Sequence, residues 1–134
     1  MRPITNEDSW RALRDFIEGC SASGEDWVAK ATTLVDLLEA RGLSSYFRAG
    51  QSMHHLIFST LDNHQLEDEP RVTVAIEKHE CRIAYARTNL HFAEPAVEST
   101  VGFGQAESVV VDFLAKLWRD TRPQVALPPG CTGR

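Results

Sequence analysis

The feature that most constrains this chain is a change of apolar period at Gly42. Before it, apolar residues recur at helical spacing; after it, they alternate. Trp10, Leu13, Phe16 and Ile17 share one side of a 3.6-residue repeat, and so do Trp27, Ala31, Leu34, Val35 and Leu38. Thr5 with Asp8 three residues later gives the first helix a capping-box start, and Gly19 offers a stop. Ser23 and Asp26 repeat the start for a second helix, which Arg41-Gly42 closes.

Beyond Gly42 the period tends towards two. Tyr46 to Ala49, then Gly50-Gln51, then Met53 to Thr60, read as a hairpin or two short strands. Leu61 to Pro70 is polar and acidic, a loop. Arg71 to Glu77 alternates with Val72, Val74 and Ile76 on one side. Lys78-His79-Glu80 then turns the chain into Arg82 to Arg87, with Ile83 and Tyr85 inward. Leu90 to Phe92 is a candidate short fifth strand, and Pro95 to Gly104 reads as small and flexible. At Gly104 the helical period returns. Ala106, Val109, Val110, Phe113, Leu114 and Leu117 predict a helix from about Gln105 to Arg119.

The expected fold is α+β. An antiparallel sheet of four to five strands carries three main helices, in the order α-α-β-β-β-β-(β)-α. Connections this short cannot make parallel crossovers. Leu34, Val35, Leu38, Val72, Val74, Ile76, Ile83, Tyr85, Val110, Phe113, Leu114 and Leu117 form the expected core. Residues 1–122 read as a single domain, and the Pro- and Gly-rich 123–134 as a flexible tail.

Charge narrows the function. Among 134 residues, 14 Lys and Arg face 19 Asp and Glu, a net charge of −5. Such a balance disfavours nucleic acid as a partner, because phosphate affinity needs clustered cations. The most apolar stretch, Val109 to Trp118, is broken by Asp112 and Lys116, so no membrane span is expected. The first ten residues carry two acids and no apolar run, unlike a secretory leader. Cys20, Cys81 and Cys131 are odd in number, without metal-ligand spacing, and read as reduced thiols in a cytoplasm.

Catalytic and metal-binding patterns are scarce. His54 and His55 are neighbours in a predicted strand and point to opposite faces, while His64, His79 and His91 are scattered. Neither a metal nor another cofactor is expected. Cys20 follows a helix rather than opening one; Cys81 sits by an exposed turn with Lys78, His79 and Arg82 around it. Ser52, Ser59 and Ser108 lack a nucleophile elbow, and the glycines at 102 and 104 make no phosphate cradle. The expectation is a binding protein with no catalytic residues.

Two features suit a binding surface. Asp62, Glu67, Asp68 and Glu69 crowd one loop, with Glu94 and Glu98 further on, and would present a negative face to a basic partner. Trp10 and Trp27 begin apolar stripes, whereas Trp118 lies at the margin of its stripe and reads as a partly exposed contact.

A helix ending Leu34-Val35-Asp36-Leu37-Leu38-Glu39-Ala40-Arg41 leads into strands. The hairpin Val72 to Ala86 follows, then a helix Ala106 to Trp118 closed by Thr121-Arg122-Pro123. This order resembles the small α+β immunity proteins of bacterial polymorphic-toxin and contact-dependent inhibition systems. Gln124-Val125-Ala126-Leu127 stands where those proteins often have an aromatic residue. The resemblance implies a cytoplasmic, stoichiometric inhibitor of a cognate toxin domain, often one that acts on nucleic acid and so has a basic cleft. Two alternatives stay open: an acidic dimer like the type III secretion chaperones, binding an effector segment, and a small enzyme with a site outside known motifs. The oligomeric state is left open.

Overall fold

A computed structural model describes residues 5–20, 26–52, 55–60, 70–86 and 97–131. Thr5 opens α1 (Asn6–Gly19) with a complete capping box. Its hydroxyl accepts the Asp8 N–H at 3.0 Å, and the Asp8 carboxylate accepts the Thr5 N–H at 3.2 Å. Two amides that no helical carbonyl can reach are thereby satisfied. Trp10, Leu13 and Ile17 are buried along the inner stripe. The end of α1 differs from expectation. Gly19 is still helical and Cys20 follows at φ −85°, so this helix closes through Cys20 N–H bonds to Phe16 and Ile17 without a left-handed residue. The left-handed stop occurs once among the described glycines, at Gly42 with φ 79°, just past α2 (Asp26–Ala40). Ser23, the expected cap of α2, lies outside the described residues.

Five strands follow: β1 (Arg48–Ser52), β2 (His55–Ser59), β3 (Arg71–Ile76), β4 (Cys81–Ala86) and β5 (Val97–Val101). They form one antiparallel meander in chain order. Two expectations are corrected here. Gly50-Gln51 is not a turn: Gly50 sits in the middle of β1 opposite Ile57, and the chain reverses between Ser52 and His55. The fifth strand, Val97–Val101, lies within the stretch read as flexible. Its pairing partner is β4, the strand before it in the chain. Leu90 to Phe92 lies outside the described residues.

All three helices, with α3 at Ala106–Thr121, pack on one face of the sheet. That face is built by register. Ala49, Phe58, Val72 and Tyr85 share one row; Leu56, Val74 and Ile83 share the next, and Ile76 faces Cys81. All are buried. Of the expected core only Phe113 departs, half-buried at its margin. The opposite face carries Arg48, Gly50, Ile57, Ser59, Thr73, Ala75, Arg82 and Ala84, since side chains alternate along a strand.

The two edges of the sheet are treated differently. Helix α1 covers β1: Ser9 Oγ accepts the Ala49 N–H at 2.9 Å, and Trp10 Nε1 donates to the Phe47 carbonyl at 2.8 Å. Strand β5 forms the other edge.

The tail also departs from expectation. Residues 123–131 dock on the helices: Pro128 is buried, Leu127 and Cys131 pack on the core, and Arg41 Nη1 donates to the Gly130 carbonyl at 3.0 Å. A β-carbon at Gly130 would collide with the Arg41 carbonyl oxygen. That close approach is why glycine stands there. Prolines and glycines here shape a fitted segment.

Candidate partner-binding surface

The acidic segment 61–69 joins β2 to β3, and Asp62, Glu67, Asp68 and Glu69 lie outside the described residues. Its two stems are described. Thr60 is buried, and α3 holds it at two points. Its hydroxyl donates to Thr121 Oγ1 at 2.7 Å, and its carbonyl accepts Arg122 Nη2 at 2.7 Å. Thr121 in turn donates to the Leu117 carbonyl at 2.8 Å, inside its own helix. The C-terminus of α3 therefore fixes the point where the acidic segment leaves the sheet.

Beside these stems runs a polar row that sequence inspection missed. Arg48 pairs with Ser59, and continuing the β2–β3 register by one residue brings Ser59 beside Arg71. Arg48 is 6% exposed and Ser59 1%. Burying an arginine this deeply is costly unless it is compensated, so the row is a built feature of the scaffold. Its signal in the sequence was parity. Both arginines are one residue off the apolar alternation, which places them on the face opposite the core. On the core side Tyr85 donates to Asp120 Oδ2 at 2.6 Å, with Lys116 Nζ 5.5 Å from the Tyr85 ring centre. This pairing ties β4 to the last turn of α3.

Trp118 is not an exposed contact. It is buried, its ring packs edge-on against Tyr46 and Phe47 at 5.9 and 5.6 Å, and its Nε1 donates to the Val125 carbonyl at 3.0 Å. The Arg122 guanidinium lies 5.9 Å from the same ring. Helix α3 is gripped on two sides, by the sheet and by the docked tail. Its buried face therefore widens to take in Val111, Ala115 and Trp118.

Two of the three cysteines are structural. Cys81 opens β4 directly after the exposed turn Lys78 to Glu80, as its neighbours suggested, but its own side chain is fully buried. Burial pushes its thiol pKa up; Lys30 pulls the other way and Glu77 adds to the rise. Burial likewise pushes Cys131 up to about 11, against the pull of Arg119 and Arg41. Both are neutral thiols at pH 7, poor nucleophiles. Arg14, whose pKa burial lowers, is carried above its usual value by hydrogen bonds to Asp36 and Glu39, which staple α1 to α2.

His55 and His79 are exposed on separate elements, and among the described residues no three His, Cys, Asp or Glu side chains gather as metal ligands. His54, His64 and His91 lie outside them. A groove of about 390 Å³ between α1 and α2 is lined by Arg11, Asp15, Glu18, Val28 and Thr32 among others, and a smaller one of about 270 Å³ separates α1 from β1. Among the described residues no helix is long and apolar enough to cross a membrane.

The Cys131 shift has a measurable sign. A folded pKa above the unfolded value of about 8.5 means the folded state holds the proton more tightly. The stability it gives is complete below that value and is lost as pH rises towards 11. The thermal midpoint of Cys131→Ser should therefore decline less between these pH values than that of wild type. Parallel declines would place the thiol in water.

No protein-family model, curated protein or solved structure matches this chain.

Proposed function

We propose that the protein is a stoichiometric inhibitor of a cognate bacterial toxin domain, an immunity protein acting in the cytoplasm, and that the acidic segment 61–69 meets a basic surface on the toxin. The supporting observation is the mounting of that segment. Four carboxylates within nine residues spring from a stem whose hydroxyl and carbonyl are both fixed by α3. Recognition loops held on rigid scaffolds lose less entropy on binding, and a concentrated charge steers a partner of opposite sign. Cys81, Cys131, Tyr85, Asp120 and Arg14 are committed to packing or to pairs within the fold, which suits binding better than turnover.

The test is stopped-flow association with the cognate toxin domain. Wild-type association should slow steeply with salt. Converting Glu67, Asp68 and Glu69 together to Lys should slow it about tenfold or more at low salt and flatten the salt dependence. Fold stability should shift little, as surface substitutions usually stay within about ±0.5 kcal/mol. Equal rates for both proteins at both salts would remove the acidic segment from the interface.

A further inference from the structure

We propose that β5 is the seam of a two-fold dimer, in which the strand pairs antiparallel with the same strand of a second copy, centred on Ser99. Two five-stranded sheets would then become one. The proposal goes beyond the toxin reading and does not depend on it.

It starts from the unequal edges. Open strand edges are templates for pairing, and proteins cover the ones they do not use. At β1 that cover exists: α1 lies along the strand, and Ser9 takes the Ala49 N–H. At β5, among the described residues, the backbone is hydrogen-bonded only on its β4 side. Val97, Glu98 and Thr100 are exposed, and Val97 is among the few large apolar side chains left open to solvent.

The sequence of β5 is self-complementary, and symmetry selects the register. In an antiparallel pair within one sheet the two-fold axis stands perpendicular to the sheet, so both helical layers lie on the same side. Residues paired across the seam must then share a face, which requires the axis to pass through a residue rather than between two. Centring on Glu98 sets like charges directly opposite, which is destabilising. Centring on Thr100 leaves Val97 and Glu98 without strand partners. Centring on Ser99 pairs all five residues: Val97 with Val101 of the other copy, Glu98 with Thr100, and Ser99 with itself.

The charges agree with this register. Thr100 is the neighbour of Arg82 on β4, and Glu98 is the neighbour of Ala84. Across the seam each Glu98 would face a Thr100 backed by Arg82, with the small Ala84 behind it. The valine pairs fall on the helix side, where exposed apolar surface would be covered. Segment 61–69 leaves the sheet at the Val97 end of β5, because Val97 is in register with Tyr85, Val72 and Phe58. The two-fold therefore sets the two Thr60 stems at opposite ends of the seam.

The experiment is sedimentation equilibrium of the untagged full chain, from about 1 µM to about 1 mM, the range in which a small strand-mediated interface dissociates. Wild type should pass from monomer to dimer. Thr100→Lys places a cation opposite Glu98 at both symmetric positions and should tighten the dimer roughly three- to tenfold. Thr100→Glu should weaken it by at least as much, and Glu98→Lys added to Thr100→Glu should restore it. Circular dichroism should stay near wild type, while the thermal midpoint should fall slightly for Thr100→Lys, which sets a second cation opposite Arg82 on β4, and rise slightly for Thr100→Glu. A wild-type monomer throughout would overturn the proposal, as would Thr100→Lys and Thr100→Glu moving the constant in the same direction. All of this is read on the protein alone, so it can fail while toxin binding stands, or stand while toxin binding fails.

Discussion

Replacing Trp10 by alanine should lower the unfolding free energy by about 3–5 kcal/mol, the usual range for emptying an aromatic core site. The ring is fully buried, 5.3 Å from the Phe58 ring, where α1 meets the sheet. Its Nε1 also donates to the Phe47 carbonyl, one residue before the edge strand β1 begins. Against a total stability of about 5–15 kcal/mol, such a loss leaves the domain close to unfolding. Trp10→Phe separates the two contributions. It keeps most of the apolar volume and strands the Phe47 carbonyl, which should cost about 1–3 kcal/mol. Ser9→Ala tests the same seam from the other side, because Ala49 N–H then loses its acceptor. Urea unfolding with an unchanged m-value would measure all three. A Trp10→Ala loss below about 1 kcal/mol would mean that α1 does not rest on the sheet through this ring.

That seam also shows what the sequence makes legible. The capping box of α1 is local, carried by Thr5 and Asp8, and it stands as read. The alternation of β3 and β4 is equally local, and their inward residues are all buried. Illegible from the sequence were features whose cause lies elsewhere in the fold. Gly50 looks like a turn residue, yet pairing with β2 holds it in a strand. Val97–Val101 has only a faint apolar alternation because it is an edge strand with one neighbour, and β4 orders it. Residues 123–131 look unstructured until Arg41 and Trp118 supply the donors that their carbonyls accept. At the candidate surface the acidic composition was plain. The Thr60 clamp was hidden, because Thr121 and Arg122 are about sixty positions away and are aligned by the register of a helix on a sheet.

Trp118 is where a position at the margin of a stripe and a buried structural role diverge most, and its substitution separates them. Trp118→Ala should cost about 3 kcal/mol, the low end for tryptophan, because the half-open Tyr46 beside it can settle into part of the space. It should also release the tail, since the Val125 carbonyl loses its donor and Arg122 loses the face it lies on. The amides of Val125 and Cys131 are held by bonds to Arg122 and Pro128 within that tail, and their hydrogen exchange should accelerate well ahead of the core. Trp118→Phe retains an aromatic ring beside Phe47 and removes the N–H together with part of the ring area. It should free the tail amides with a stability loss of about 1 kcal/mol. The two roles then predict different binding results. A tryptophan at the centre of an interface typically loses about 2 kcal/mol or more of binding energy when truncated. Because the Nε1–H here points at Val125 and the ring at Phe47, Trp118→Phe should bind the proposed toxin partner with wild-type affinity while its tail exchanges faster. A binding loss of that size, with tail exchange unchanged, would return Trp118 to the interface.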